Sequence, residues 1–136
     1  MGAGVGDFDG DGDLDISLSD QKTNIIAWIE NVKGDGSVWE QQTIFKGGDS
    51  FDESQGADFN GDGIDDIVGN YYNGKGLMLC LAPKKKTDSW TITKIGDGPV
   101  GIDVIDMDND GDIDVIAGDH RRTQQGNNPL DSQLLV

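Results

Sequence analysis

Asp7-Phe8-Asp9-Gly10-Asp11-Gly12-Asp13-Leu14-Asp15 decides how the rest of the chain is read. The pattern returns as Asp58-Phe59-Asn60-Gly61-Asp62-Gly63-Ile64-Asp65-Asp66, and again as Asp106-Met107-Asp108-Asn109-Asp110-Gly111-Asp112-Ile113-Asp114. Oxygen-bearing side chains stand at positions 1, 3, 5 and 9 of each copy, with Gly at position 6. A short loop whose alternate side chains turn inward offers these oxygens to one hard cation. Calcium, which takes six to eight oxygen ligands, suits such a set. Gly at position 6 permits the sharp turn. Position 7 then offers its backbone carbonyl, which is why Asp13, Ile64 and Asp112 are interchangeable there. The spacing therefore predicts about three calcium sites per chain.

An EF-hand shares the first half of this spacing but needs a bidentate Glu at position 12 and flanking helices. Position 12 here is Leu18, Gly69 and Ala117, and strand-like residues follow each loop: Ile16-Ser17-Leu18, Ile67-Val68 and Val115-Ile116. Asx turns alone account for Asp-Gly runs without any metal, but they do not require four or five acids together. The first and third windows hold five acidic residues each and the second four, fourteen of the chain's 26. Such density is self-repelling without a cation.

The formal charge of −16 on 136 residues argues against nucleic-acid partners and acidic membranes. Three divalent cations would reduce it only to −10. No apolar run approaches the length of a membrane span, and no secretory leader is read, since Met1 leads straight into Gly-Ala-Gly-Val and the first loop. The single cysteine, Cys80, lies between Leu79 and Leu81 and reads as a buried strand residue.

More than the loop recurs. At an offset of 51 residues Trp39 maps to Trp90, Thr43 to Lys94, Ile44 to Ile95 and Gly47 to Gly98; the third loop follows 48 residues after the second. Each unit reads as four short strands. An entry strand (5–8, 56–59, 101–107) leads into the loop and a second strand (14–19, 64–70, 113–118) leaves it. A third (25–29, 77–81) and a fourth (39–45, 90–95) follow. Four antiparallel strands at a 40–50-residue period predict all-β propeller blades. The third strand is apolar on both faces, as a sheet packed between two neighbours requires.

With its loop, its following strand and Trp28-Ile29-Glu30-Asn31, the unit resembles the FG-GAP/VCBS-type repeat. The resemblance covers essentially the whole chain. It implies a β-propeller related to integrin α-chain heads and to secreted bacterial and fungal proteins. It also implies calcium held by Asp7, Asp9, Asp11, Asp13 and Asp15, by Asp58, Asn60, Asp62, Ile64 and Asp66, and by Asp106, Asp108, Asp110, Asp112 and Asp114. The Gly-Ala-Pro that often follows the loop is Gly69-Asn70-Tyr71 and Gly118-Asp119-His120 here, which favours the VCBS-like subtype.

Such propellers resemble closed rings of about seven blades, roughly 340–350 residues at this pitch. This chain carries units at about 1–48, 49–99 and 100–136, two full blades and an incomplete third that ends partway into a third strand. The expectation is a partial propeller from a larger extracellular, periplasmic or cell-surface protein, with the remaining blades or self-association covering its open faces. Recognition or adhesion towards a protein or glycan follows by analogy, with no nucleic acid and no membrane insertion. The rival readings are a polysaccharide lyase or hydrolase and a lectin. For the enzyme, Asp49, Asp52 and Glu53 are the acids left uncommitted by the loops, but their spacing carries no catalytic signature, and no catalytic residue is assigned. Tyr71-Tyr72-Asn73 reads as blade packing, Trp39 and Trp90 as packing residues, Lys84-Lys85-Lys86 as a hairpin tip, and His120-Arg121-Arg122 as a solvated loop.

Overall fold

A computed structural model describes residues 2–47, 50–71, 76–97, 99–119 and 134–135. These form eleven strands and no helix. The first sheet contains β1 (Gly2–Gly6), β2 (Asp15–Asp20), β3 (Ile25–Asn31) and β4 (Trp39–Lys46), in that order. The second contains β5 (Phe51–Ala57), β6 (Asp66–Tyr71), β7 (Leu77–Leu81) and β8 (Thr91–Gly96), again in chain order. β9 (Pro99–Ile105), β10 (Asp114–Asp119) and β11 (Leu134–Leu135) make a three-stranded sheet with β10 in the middle. Every pairing is antiparallel. The sheets stack through their first strands, β1 on β5 and β5 on β9. This is a partial propeller: two complete blades and part of a third.

The sequence repeat is also a repeat of register. Val5, Ile16, Ile29 and Gln41 lie opposite one another across the first sheet. Fifty-one residues later, Gly56, Ile67, Cys80 and Ile92 form the same row in the second. In the second sheet this row faces the first sheet, and Ile67 and Cys80 are fully buried. Its counterpart in the first sheet looks the other way, leaving Val5 exposed. Cys80 is a buried strand residue as expected, and burial pushes its thiol pKa up to about 12.

The entry strands begin and end earlier than the sequence predicts, and this has a steric cause. Gly2 and Gly4 sit where a Cβ would meet the backbone of Glu53 at 2.6 Å and of Gln55 at 2.9 Å. The inner strands therefore approach closely, backbone to backbone. Phe8 has already left the strand. Its ring plugs the space beside Gly6 and Gly56 and is 1% exposed.

Two cores result. Between the first and second sheets lie Phe8, Ile26, Trp28, Phe51, Ile67, Met78 and Cys80, with Trp90, Tyr71 and Phe45 packed against them. Trp28 and Trp90 meet at 6.2 Å between ring centroids, and Phe51 stacks on Tyr71 at 4.4 Å. Between the second and third sheets the core is Val68, Leu77, Ile102 and Ala117, with Phe59, Val104 and Val115 beside them.

Tyr71 thus packs as expected; Tyr72, Asn73 and His120-Arg121-Arg122 lie outside the described residues. Trp39 departs from expectation. It is 42% exposed, and its indole N–H donates to the Gly36 carbonyl at 2.9 Å. Trp90 packs because the first sheet lies against its face, whereas the same position one unit earlier faces away from the second sheet.

Candidate metal centres

All three acidic loops close in the same way. The position-1 carboxylate gathers the backbone of its own turn: Asp7 Oδ1 accepts from the N–H groups of Gly10 and Asp11 at 2.8 and 3.1 Å, and Oδ2 from Gly12 at 2.9 Å. Asp58 accepts from Asp62 and Gly63 at 3.1 and 2.8 Å, and Asp106 from Asp110 and Gly111 at 3.1 and 3.0 Å. At positions 3 and 5 each side chain accepts from the N–H two residues ahead. The donors to Asp9, Asn60 and Asp108 are Asp11, Asp62 and Asp110; those to Asp11, Asp62 and Asp110 are Asp13, Ile64 and Asp112. These bonds turn the side-chain oxygens of positions 1, 3 and 5 inward.

Backbone conformation supports the turn at two places. Position 6 is left-handed in every loop, at φ +93°, +88° and +99° for Gly12, Gly63 and Gly111. Position 4 is left-handed too: Gly10 and Gly61 at +75° and +70°, and Asn109 at +63°. Asn is among the few residues with a side chain that tolerate this region.

Position 9 has a second duty. Asp15 is buried; its Oδ2 accepts from Phe8 N–H at 3.3 Å and from the Trp28 indole at 2.9 Å, and its Oδ1 from Asn31 N–H at 2.8 Å. Asp66 repeats this with Phe59 N–H at 3.2 Å and Ala82 N–H at 2.7 Å. Asp114 accepts from Met107 N–H at 2.9 Å. Each braces the start of its loop, and the first two also brace the end of the third strand.

Ligand-capable oxygens of Asp7, Asp9 and Asp11 lie within 4.8 Å of one another, and so do those of Asp106, Asp108 and Asp114. Asp15 falls outside the first group and Asp110 outside the second. The donors are oxygens throughout, the set a hard cation such as calcium prefers over soft metals. Burial and neighbouring carboxylates both disfavour the charged form here. Asp9 is held above the usual carboxylate range by partial burial and by Asp11 and Asp15 beside it, against an opposing pull from Lys86. Burial lifts the Asp66 carboxyl to about 6, despite the two backbone donors that lower it. Asp13 Oδ1 is buried without a hydrogen-bond partner.

Several residues matter more than their sequence pattern shows. Ile64, expected to contribute only its carbonyl, lies with its side chain 3.2 Å from where a Cβ on Gly10 would stand, so loop 2 rests on loop 1. Asp65, at position 8, takes hold of Asp7: its N–H donates to the Asp7 carbonyl, and its Oδ2 accepts from the Asp7 N–H, both at 2.9 Å. Lys86 is more than a hairpin tip. Its ammonium pairs with buried Glu30, stands 3.7 Å from Asp9 Oδ2, and lies 5.6 Å from the centroid of a Trp28 ring. The signal for Asp65 was an additional acid at one position in one copy, which a search for recurring residues discards. Asp52 and Glu53 are engaged by the sheets. Asp52 accepts from Gln21 Nε2 at 2.5 Å and Glu53 from Ile102 N–H at 3.0 Å, while Asp49 lies outside the described residues.

No curated protein and no solved structure matches the chain. A family model does, over residues 7–69. That span opens on the first carboxylate of loop 1, crosses β2 to β5, takes in loop 2 and ends within β6. The model is that of the FG-GAP-like repeat, which these residues match as a β-propeller-type segment.

Proposed function

We propose that the three loops hold structural calcium ions in a propeller whose complete form recognises a protein or glycan outside the cell. The observation that carries this reading is the threefold recurrence of one loop geometry, in which the side chains of positions 1, 3 and 5 accept from the backbone of their own turn, together with the carboxylate groups of Asp7, Asp9 and Asp11 and of Asp106, Asp108 and Asp114. Asx turns explain the backbone bonds. They do not explain why four or five carboxylates should be gathered where they repel one another.

Bound calcium would supply positive charge at the centre of each loop. Asp7, Asp9, Asp11 and Asp15 would hold it in the first, with the Asp13 carbonyl; Asp58, Asn60, Asp62 and Asp66 in the second, with the Ile64 carbonyl; and Asp106, Asp108, Asp110 and Asp114 in the third, with the Asp112 carbonyl. Affinities of about 10⁻⁴–10⁻³ M, as in extracellular modules, suit millimolar calcium outside cells. Recognition by the full propeller rests on the family's habit and on the chain's acidity, which disfavours nucleic acid.

The test is calorimetric titration of the EDTA-stripped chain with calcium, paired with thermal melts. About three sites and a raised melting temperature support the reading. A folded chain that releases no heat and melts identically with and without calcium sinks it.

A further inference from the structure

We propose that Asp65 is a positioning residue through which the second calcium site organises the first, so that these two sites bind as a coupled pair and the third binds alone. The inference rests on the calcium reading above and deepens it.

Asp65 stands between Ile64 and Asp66, positions 7 and 9 of its own loop. Any ordering of loop 2 therefore fixes the Asp65 backbone. From there Asp65 makes a two-point contact with Asp7, donating to its carbonyl and accepting from its N–H, each at 2.9 Å. Asp7 is the residue whose carboxylate closes loop 1 around the N–H groups of Gly10, Asp11 and Gly12. The contact thus fixes the backbone that aims the first ligand. Ile64 adds a second bearing point against Gly10.

The next junction lacks this device. Position 8 of loop 3 is Ile113, whose side chain has no acceptor to offer Asp58, and position 7 is the exposed Asp112. Among the described residues, the polar link from the second sheet to the third is Glu53 to Ile102, on the strands rather than between loops. Coupling is reciprocal: calcium in loop 1 must favour loop 2 by the same factor.

Trp28 provides a local reporter, because its indole N–H is bonded to Asp15 of loop 1. Its indole resonance is followed by NMR while the EDTA-stripped full chain is titrated with calcium chloride. Asp62→Ala, which damages loop 2, should raise the calcium midpoint at Trp28 by about fivefold or more, the ordinary range of coupling between sites. Asp110→Ala in loop 3 should leave it within twofold. In an Asp65→Ile background, which copies Ile113, Asp62→Ala should lose its effect on Trp28. Asp65→Asn keeps an acceptor for the Asp7 N–H and should restore it. That rescue separates positioning from charge and guards against an unfolded Ile variant.

A Trp28 midpoint indifferent to Asp62→Ala, in a chain that binds three calcium ions, overturns the coupling and leaves the calcium reading intact. So does loss of coupling in Asp65→Asn, since its acceptor remains. A Trp28 resonance that ignores calcium, in a chain whose calorimetric titration also shows no binding, removes the calcium reading itself.

Discussion

The junction between the first and second sheets is built from rings, and the junction between the second and third from smaller side chains. Phe8, Trp28, Phe51 and Trp90 meet in the first. Val68, Leu77, Ile102 and Ala117 meet in the second. The two surfaces descend from one repeat. At the same loop position Phe8 is 1% exposed, Phe59 is partly buried, and Met107, facing no further sheet in this structure, is 46% exposed. Polar links follow the same gradient. Asp65–Asp7 and the Lys86–Glu30–Asp9 cluster cross the first junction close to the loops; Glu53–Ile102 crosses the second. Repetition of sequence therefore does not imply repetition of cohesion. In a stacked array, stability is a sum of units and nearest-neighbour contacts, and here the neighbour contacts differ.

The largest break should come from Trp28→Ala. It empties a fully buried site and removes a donor from Asp15, and should cost about 3–5 kcal/mol in a denaturant melt. A cost below about 1 kcal/mol would mean that the first junction is not the tight one. Replacing the two loop phenylalanines compares the junctions at one position. Phe8→Ala should cost about 3–4 kcal/mol and Phe59→Ala roughly half that, because less of its ring is enclosed. Equal losses would erase the distinction.

A change of pH probes the braces beneath the loops. In the calcium-free chain the folded-state pKa of Asp66 is about 6, above its unfolded value near 3.8. The folded state then binds more protons than the unfolded state between these values, so this group's contribution to stability falls as pH rises from about 4 to 6 and is level above. Melting temperatures across that window, in EDTA, should show the decline, and Asp66→Asn should flatten it. An unchanged slope in the variant would place the titration elsewhere. The smallest effect belongs to Trp39→Ala, expected within about 0.5 kcal/mol, against about 2 kcal/mol for Trp90→Ala at the equivalent position. Matching losses would mean that exposure does not separate these two tryptophans.

The blade architecture was legible because its signals repeat. The apolar third strands, the loops and the 51-residue offset are statements of pattern, and register follows pattern. β7 begins and ends where the sequence placed it, at Leu77 and Leu81. The entry strands were less legible. Gly2, Gly4 and Gly6 carry no strand propensity, and their strand exists because β5 presses against a backbone that only Gly leaves bare. At the site, the three acidic loops and their shared turn could be read from spacing. The brace role of Asp15 and Asp66 and the grip of Asp65 on Asp7 could not, because those partners lie on other strands or in the next unit. Glu30 and Lys86 were hidden for the same reason: 56 residues separate a buried acid from the amine it meets.

The placement of the three indoles has a spectroscopic consequence. Trp28 and Trp90 are enclosed together in the first junction, Trp39 is already wet, and the second junction contains no tryptophan. Intrinsic emission is therefore blind to the third sheet. If that sheet peels away first, a fluorescence melt will stay flat while circular dichroism declines, and the gap between the two curves will be the stability of the weaker junction.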